Sequence, residues 1–345
     1  MNQCAAQEKL DRLMRRGCEF LGTRIALLGG AMTWVSERNL VAAISNGGGF
    51  GVIANGAMSP EQLAAEIEAT RALTDKPFGV NLITMHPQLD RLIDVAIEAN
   101  ISHVVLAGGL PPREAIRRIK DGGAKLICFT LSARLGRRLV KSGVDALVIE
   151  GMEAGGHIGP VSLGVLAQEV LPEISEVPVF VAGGIGRGEA ILSFLEMGAA
   201  GCQLGTRFVC ARESIAHPNF KKRFILANAR DAVPSVQLDP RFPVIPVRAL
   251  QNAATQEFMA HQRRLIAKVD RGELDTKDAQ LEIEHFWAGA LRRAVIDGDV
   301  EAGSVMAGQS VGLVNQEQPA AEIIQELMDQ AGAALNRRDG AGATE

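Results

Sequence analysis

The sequence predicts a (β/α)8 barrel interrupted by a mainly helical insert, and three observations carry that prediction. Eight short apolar segments alternate with stretches of helical length. Alternation of this kind implies a parallel sheet with helices outside, and eight units close into a barrel. The last three segments each end in a glycine-rich turn, within EGMEAGGHIG, AGGIG and LGTRF. After Arg212 the alternation stops, and residues 216–300 hold a Pro-rich piece and two helical runs instead. The expected organisation is a barrel over 1–215, an insert over 216–300 and a return over 301–345 with a closing helix. An open doubly wound sheet is the competing reading. It calls for G-x-G-x-x-G after the first strand, where this chain has GGAMTW.

In order, residues 10–16 read as a short amphipathic helix and 24–28 as the first strand, closed by Gly29 and Gly30. A helix over 37–45 and a strand over 50–54 follow. Ser59 is a good N-cap and Pro60 suits the first helical position, so a helix opens there. FGVNLI at 78–83 is a strand, 88–100 a helix and HVVL at 103–106 a strand. Pro112 opens a helix, KLICF at 125–129 is a strand, and 133–142 is helical. The sixth, seventh and eighth strands are VDALVIE, VPVFVA and AAGCQL. In the insert, helices are expected near 256–269 and 278–293, and 319–335 reads as the closing helix.

Composition narrows the function. Hydrophobic residues make up 47% of the 345, enough for a large core, and the net charge of −4 gives no footprint for nucleic acid. The N-terminal MNQCAAQEKLDRLMRRG carries charges throughout, unlike a secretory signal. No apolar run approaches the roughly 18 residues of a membrane span. The five cysteines show no C-x-x-C or zinc spacing, so they read as reduced thiols of a cytoplasmic protein, and no metal site is expected.

The candidate site residues lie on the loops after the strands. Gly183, Gly184, Gly205 and Thr206 follow the seventh and eighth strands, where barrels commonly hold a phosphate on backbone N–H groups. The plainer reading is turn chemistry. Gln203 points from the eighth strand toward the same place, or is an ordinary satisfied polar residue of the barrel. His157 stands among Gly155, Gly156 and Gly159. It is either a surface histidine or a ring able to give and take a proton near neutral pH. Glu150 ends its strand at the barrel mouth, where a carboxylate can accept from a ribityl or ribose hydroxyl; Glu153 is a second acid on the loop or simply solvated. Asn81 interrupts an apolar strand and must find partners, in a cofactor edge or in neighbouring backbone. Met32 packs on a flat ring or on the core. His217, His261 and His285 lack metal spacing and read as surface or cap residues.

Taken together, GGAM, TDKPFGVNL, EGMEAGGHIG, AGGI and QLGTRF resemble the superfamily of FMN-dependent barrel enzymes that includes nitronate monooxygenases and flavin-dependent enoyl-ACP reductases. The resemblance covers nearly the whole chain. Trp34-Val35, AHPNFKKRF, the AGALxxAVxxGDV run and GSVMAGQSVGLV resemble the enoyl-ACP reductase II branch more closely. That branch usually has QGGM where this chain has Gly29-Gly30-Ala31-Met32, and the insert departs around SVQLDPRFPVIPVRA. The resemblance implies that the FMN phosphate sits on Gly183–Gly184 and Gly205–Thr206. It puts the isoalloxazine near Ala31, Met32 and Asn81, and His157 on the reactive side.

For a reductase, the resemblance implies NADH or NADPH as co-substrate, an enoyl thioester as substrate, acyl carrier protein as its carrier, and a bound monovalent cation. For a nitronate monooxygenase it implies a small nitronate and oxygen. A flavin-free phosphate-ligand barrel, an isomerase or lyase, stays open as a third class. A homodimer is compatible with each reading, while nucleic acid and membrane are not expected partners.

Overall fold

The computed structural model describes residues 3–56, 58–241 and 246–341, without the side chains of 3, 4, 284, 285, 287, 288 and 339–341. The strands are β1 (Leu27–Gly29), β2 (Gly51–Asn55), β3 (Phe78–Ile83), β4 (His103–Ala107), β5 (Lys125–Thr130), β6 (Ala146–Glu150), β7 (Gly156–His157), β8 (Val179–Ala182), β9 (Gly201–Leu204), β10 (Ala232–Pro234) and β11 (Val247–Leu250). The helices are α1 (Gln3–Leu21), α2 (Arg38–Asn46), α3 (Pro60–Arg71), α4 (Leu89–Glu98), α5 (Arg113–Asp121), α6 (Ala133–Lys141), α7 (Leu163–Val170), α8 (Gly188–Glu196), α9 (Thr206–Val209), α10 (Pro218–Ile225), α11 (Ala253–Asp270), α12 (Thr276–Val295) and α13 (Ala320–Ala341).

Eight parallel strands run in the order β1-β9-β8-β6-β5-β4-β3-β2, and a parallel bridge between Leu28 and Phe50 closes the ring. This is the expected (β/α)8 barrel, with β8 and β9 as its seventh and eighth strands. Ser59 caps α3 in a capping box with Gln62, and Pro60 takes the first helical position. Glu37 caps α2 by accepting from the N–H groups of Asn39 and Leu40. Helix α1 is longer than the expected 10–16. Ala6, Leu10, Met14 and Leu21 are all buried, so one apolar stripe of helical period runs nearly its whole length. Helix α13 likewise runs past its expected end at residue 335. It packs against α8, α1 and α2, closing the outer ring.

Aromatic contacts show which side chains point into the barrel. The Phe20 ring, at the end of α1, lies 5.1 Å from His103 and 6.1 Å from Phe180, and Phe50 lies 4.8 Å from His103. These rings plug the N-terminal end. His103 is buried there between Ser102 Oγ and the Phe20 carbonyl, and burial pushes its pKa down to about 4, so it stays neutral. Strand side chains alternate, so the residues two further along also face inward. Val52 and Ala54 follow Phe50, Val105 and Ala107 follow His103, and Ala182 follows Phe180. Register extends the set: Asn81 pairs with Ala54 and Val105, Glu150 with Ala182, and Gln203 with Ala182 and Leu28.

Between β9 and α13 the helices are joined by something the sequence did not suggest. β10 and β11 form an antiparallel pair that adds β7 as a third strand, with Val247 opposite His157 and Arg248 opposite Gly156. α11 and α12 pack on each other around Phe258, Leu265, Ala279 and Ile283. Part of the Pro-rich piece, residues 242–245, lies outside the described residues.

Candidate active site

At the C-terminal mouth, alanines stand beside Val105 and Leu28 on the inward face, and three polar residues interrupt them. Ala54, Ala107 and Ala182 contribute no more than a methyl group each, and between them stand Asn81, Glu150 and Gln203. Asn81 Nδ2 donates to the Val105 carbonyl at 3.3 Å, so half of this amide is spent on neighbouring backbone. Among the described residues, the Glu150 and Gln203 side chains make no hydrogen bond. Burial pushes the Glu150 carboxyl up to about 8. Glu150 and Gln203, without partners among the described residues, and the Asn81 amide oxygen fit a planar ligand with polar edges.

Four loops and one returning segment meet beside this layer. Gly183 and Gly184 take positive φ values of 98° and 70°, a conformation natural to glycine. A Cβ on Gly183 would stand 2.9 Å from the Gly151 carbonyl oxygen, so the turns after β6 and β8 lie backbone against backbone. Gly155 is equally constrained: a Cβ there would fall 2.6 Å from both Ala307 C and Gly308 N. Gly308 N in turn donates to Thr206 Oγ1 at 2.9 Å, which ties the 303–314 segment to the turn after β9. Gly183 and Gly184 face a cavity of about 400 Å³ whose far wall includes Asn228, Ala229, Gln309 and Ser310. Gly205 and Met32 are neighbours; Met32 Sδ lies 3.4 Å from where a Gly205 Cβ would stand. Ala31, half-buried, precedes it on the loop after β1.

His157 is exposed on the rim, on the short β7 strand. The insert holds that strand: Ile158 N donates to the Pro246 carbonyl at 2.9 Å, next to the Val247–His157 pairing. Glu153 is not a solvated acid. Its carboxylate oxygens accept from Leu163 N, the first residue of α7, at 2.9 and 3.2 Å. The structure therefore brings Ala31, Met32, Gly155, Gly156, Gly183, Gly184, Gly205 and Thr206 onto one set of touching loops, above a layer holding Asn81, Glu150 and Gln203.

Several residues at the mouth escaped the sequence reading. Gln309 and Ser310 wall the cavity; the glycine spacing and family resemblance of GSVMAGQSVGLV marked their segment but gave neither residue a role. Arg248 is buried beneath the His157 loop, with no sequence signal. Trp34 sits in the left-handed region at φ 69°, where a bulky residue is strained, and the Arg292 guanidinium of α12 lies 5.9 Å from its ring. His217 is a cap, accepting from Asn219 N, and His261 stacks on Phe286. The His285 side chain is outside the described residues. Cys18, Cys128, Cys202 and Cys210 are free thiols whose pKa values burial raises. No described helix is long and apolar enough to cross a membrane.

Comparison with known proteins gives a consistent result. The profile of the nitronate monooxygenase family matches residues 16–103 and 83–330. The structure of FabK from Thermotoga maritima superposes with a TM-score of 0.84 at 35% identity, covering 94% of this chain and 98% of that one. The (3aS,4S,5R,7aS)-5-hydroxy-7a-methyl-1-oxo-octahydro-1H-indene-4-carboxyl-CoA dehydrogenase of Mycobacterium tuberculosis is 28% identical, over 90% of this chain and 94% of that protein. A probable nitronate monooxygenase of Staphylococcus aureus is 26% identical, over 90% of this chain and 96% of that protein.

Proposed function

The chain belongs to the nitronate monooxygenase family, an oxidoreductase family, and from that premise we propose that it is an FMN-dependent, NAD(P)H-driven reductase of enoyl thioesters. The observation that carries this choice within the family is the likeness to FabK, at 35% identity against 26% for the nitronate-named relative. The GSVMAGQSVGLV segment, which resembles the enoyl-ACP reductase II branch, walls the cavity beside Gly183 and Gly184, and that position supports the reading.

FMN, when bound, would supply two-electron transfer between a reduced nicotinamide and an activated carbon–carbon double bond. The residues present suit it. Backbone N–H groups around Gly183, Gly184 and Gly205, with the Thr206 hydroxyl, would hold its phosphate, because no side chain stands between the backbone and the ligand. Asn81, Glu150 and Gln203 would meet its polar edges, and the alanines between them leave room for a ring. His157 on the rim would supply an imidazole N–H to the thioester carbonyl or to the α-carbon. Reduction adds hydride at the β-carbon and a proton at the α-carbon, and this residue serves the proton. Acyl carrier protein would be the carrier of the natural thioester.

Oxidation of alkyl nitronates is the second reading, favoured by the family profile and by the nitronate-named relative. Anaerobic mixing separates the two. We expect NADH or NADPH to bleach the flavin within seconds, and crotonyl thioester to restore its colour without oxygen. A flavin that resists both nicotinamides but turns over a nitronate in air overturns the reductase assignment.

A further inference from the structure

We propose that Arg248 is a positioning residue for His157, gripping the loop that carries the histidine at both of its ends. This deepens the function proposed above and rests on the role given there to His157. The main chain of β11 holds the far end of the loop: Arg248 pairs with Gly156, Val247 with His157, and the Pro246 carbonyl accepts from Ile158 N. The Arg248 side chain holds the near end. Its Nε donates to the Met152 carbonyl at 3.0 Å, while Nη1 donates to the Ala232 carbonyl at 2.6 Å on β10. One residue thus ties residues 152 and 156 to the same strand of the insert, with His157 next in line.

Its charge state marks it out. Arg248 is 2% exposed, and burial pulls its pKa down. The other deeply buried cations at this end of the barrel have carboxylate partners. Arg207 Nη2 lies 2.7 Å from Glu326, and Lys221 Nζ lies 3.1 Å from Glu317. Among the described residues Arg248 makes no salt bridge, and Glu153, whose charge acts on it, is committed to Leu163 N. Burying a guanidinium against neutral carbonyls alone is costly. A neutral residue would pack there at less cost, but only a planar fork reaches two carbonyls on different elements at once. Lysine, a point donor on a flexible stem, would serve one and release the other.

The test uses Arg248→Lys and Arg248→Ala in the full-length protein, with His157→Ala as reference. Both Arg248 variants should retain FMN and be reduced by NAD(P)H at near-parental rates. Reoxidation by the carbon substrate should fall roughly 10- to 100-fold, mainly in kcat, the scale of a slight misplacement of a reacting group. Methylguanidine should restore activity to Arg248→Ala and leave the parent unchanged. In the flavin-free protein, amide hydrogen exchange at Gly156–Ile158 should be faster in Arg248→Lys than in the parent. Parental turnover and exchange in Arg248→Lys would overturn the proposal. So would loss of FMN in step with activity, or failure of rescue. If the parent flavin resists NAD(P)H, the reductase reading fails by itself, and the same variants are measured with a nitronate, which also needs His157. If His157→Ala turns over like the parent, the role of the histidine is what fails.

Discussion

Replacing Glu150 by glutamine should make the flavin-free protein more stable at neutral pH, and the structure sets the scale. Burial raises the carboxyl from 4.5 to about 8 in the folded state. Below about pH 4.5 both folded and unfolded chains are protonated and the residue costs nothing. As pH rises from there, the unfolded chain ionises while the folded one does not, so folding loses stability until pH passes about 8. At about 1.4 kcal/mol per pH unit, the penalty at pH 7 is about 3 kcal/mol for full burial. Glu150 is only half-buried at the mouth, and contact with water should reduce the observable gain to about 1–2 kcal/mol. Glutamine removes the charge without breaking a side-chain hydrogen bond, because Glu150 makes none among the described residues. Urea unfolding of parent and Glu150→Gln should coincide near pH 4.5 and diverge toward pH 8, with the variant the more stable. A stability difference that is flat across this range would refute the reasoning, because it would mean the carboxylate is already ionised and solvated in the fold.

Two further substitutions probe the loops. His157→Ala should keep its flavin and its reduction by NAD(P)H, while reoxidation by the carbon substrate falls roughly 100-fold or more, the scale of general acid–base assistance; stopped-flow traces of the two half-reactions check this. Gly184→Val should lose FMN, read as flavin absorbance after purification. A side chain there also meets Glu153 Cβ at 3.0 Å and must adopt φ 70°, so the melting temperature should drop as well.

Much of the fold was legible because barrel strands are short apolar runs stopped by glycine, and glycine is needed where turns touch backbone to backbone. Gly155 and Gly183 are such positions, and their spacing announced the loops that meet at the mouth. The helix capped at Ser59 was equally plain, since the signal is local. What stayed hidden is non-local. β7 is two residues long and becomes a strand only because β11 arrives beside it from the insert. Arg248 reads as one arginine among many until its partners, two backbone carbonyls, are placed. Asn81 shows the limit from the other side: an amide inside an apolar strand demanded partners, and half of that demand is met by the Val105 carbonyl. Glu150 was visible as a strand-ending acid, but its raised pKa depends on the walls around it.

Helix α13 carries a consequence for how the protein is made. It fits between α8 and α2, and Gly188 at the start of α8 lets it approach: a Cβ there would fall 2.0 Å from the Leu327 carbonyl oxygen. Gln330 Oε1 accepts from Gly188 N at 2.8 Å, and Glu326 neutralises the buried Arg207. All eight barrel strands leave the ribosome before this helix, with the whole insert between them. Through that interval the nascent barrel has its first and eighth strands in hand but an uncovered apolar seam, and a buried arginine still without its carboxylate. The insert is therefore also a delay, during which a barrel complete in its strands still has that seam open to pairing with something else.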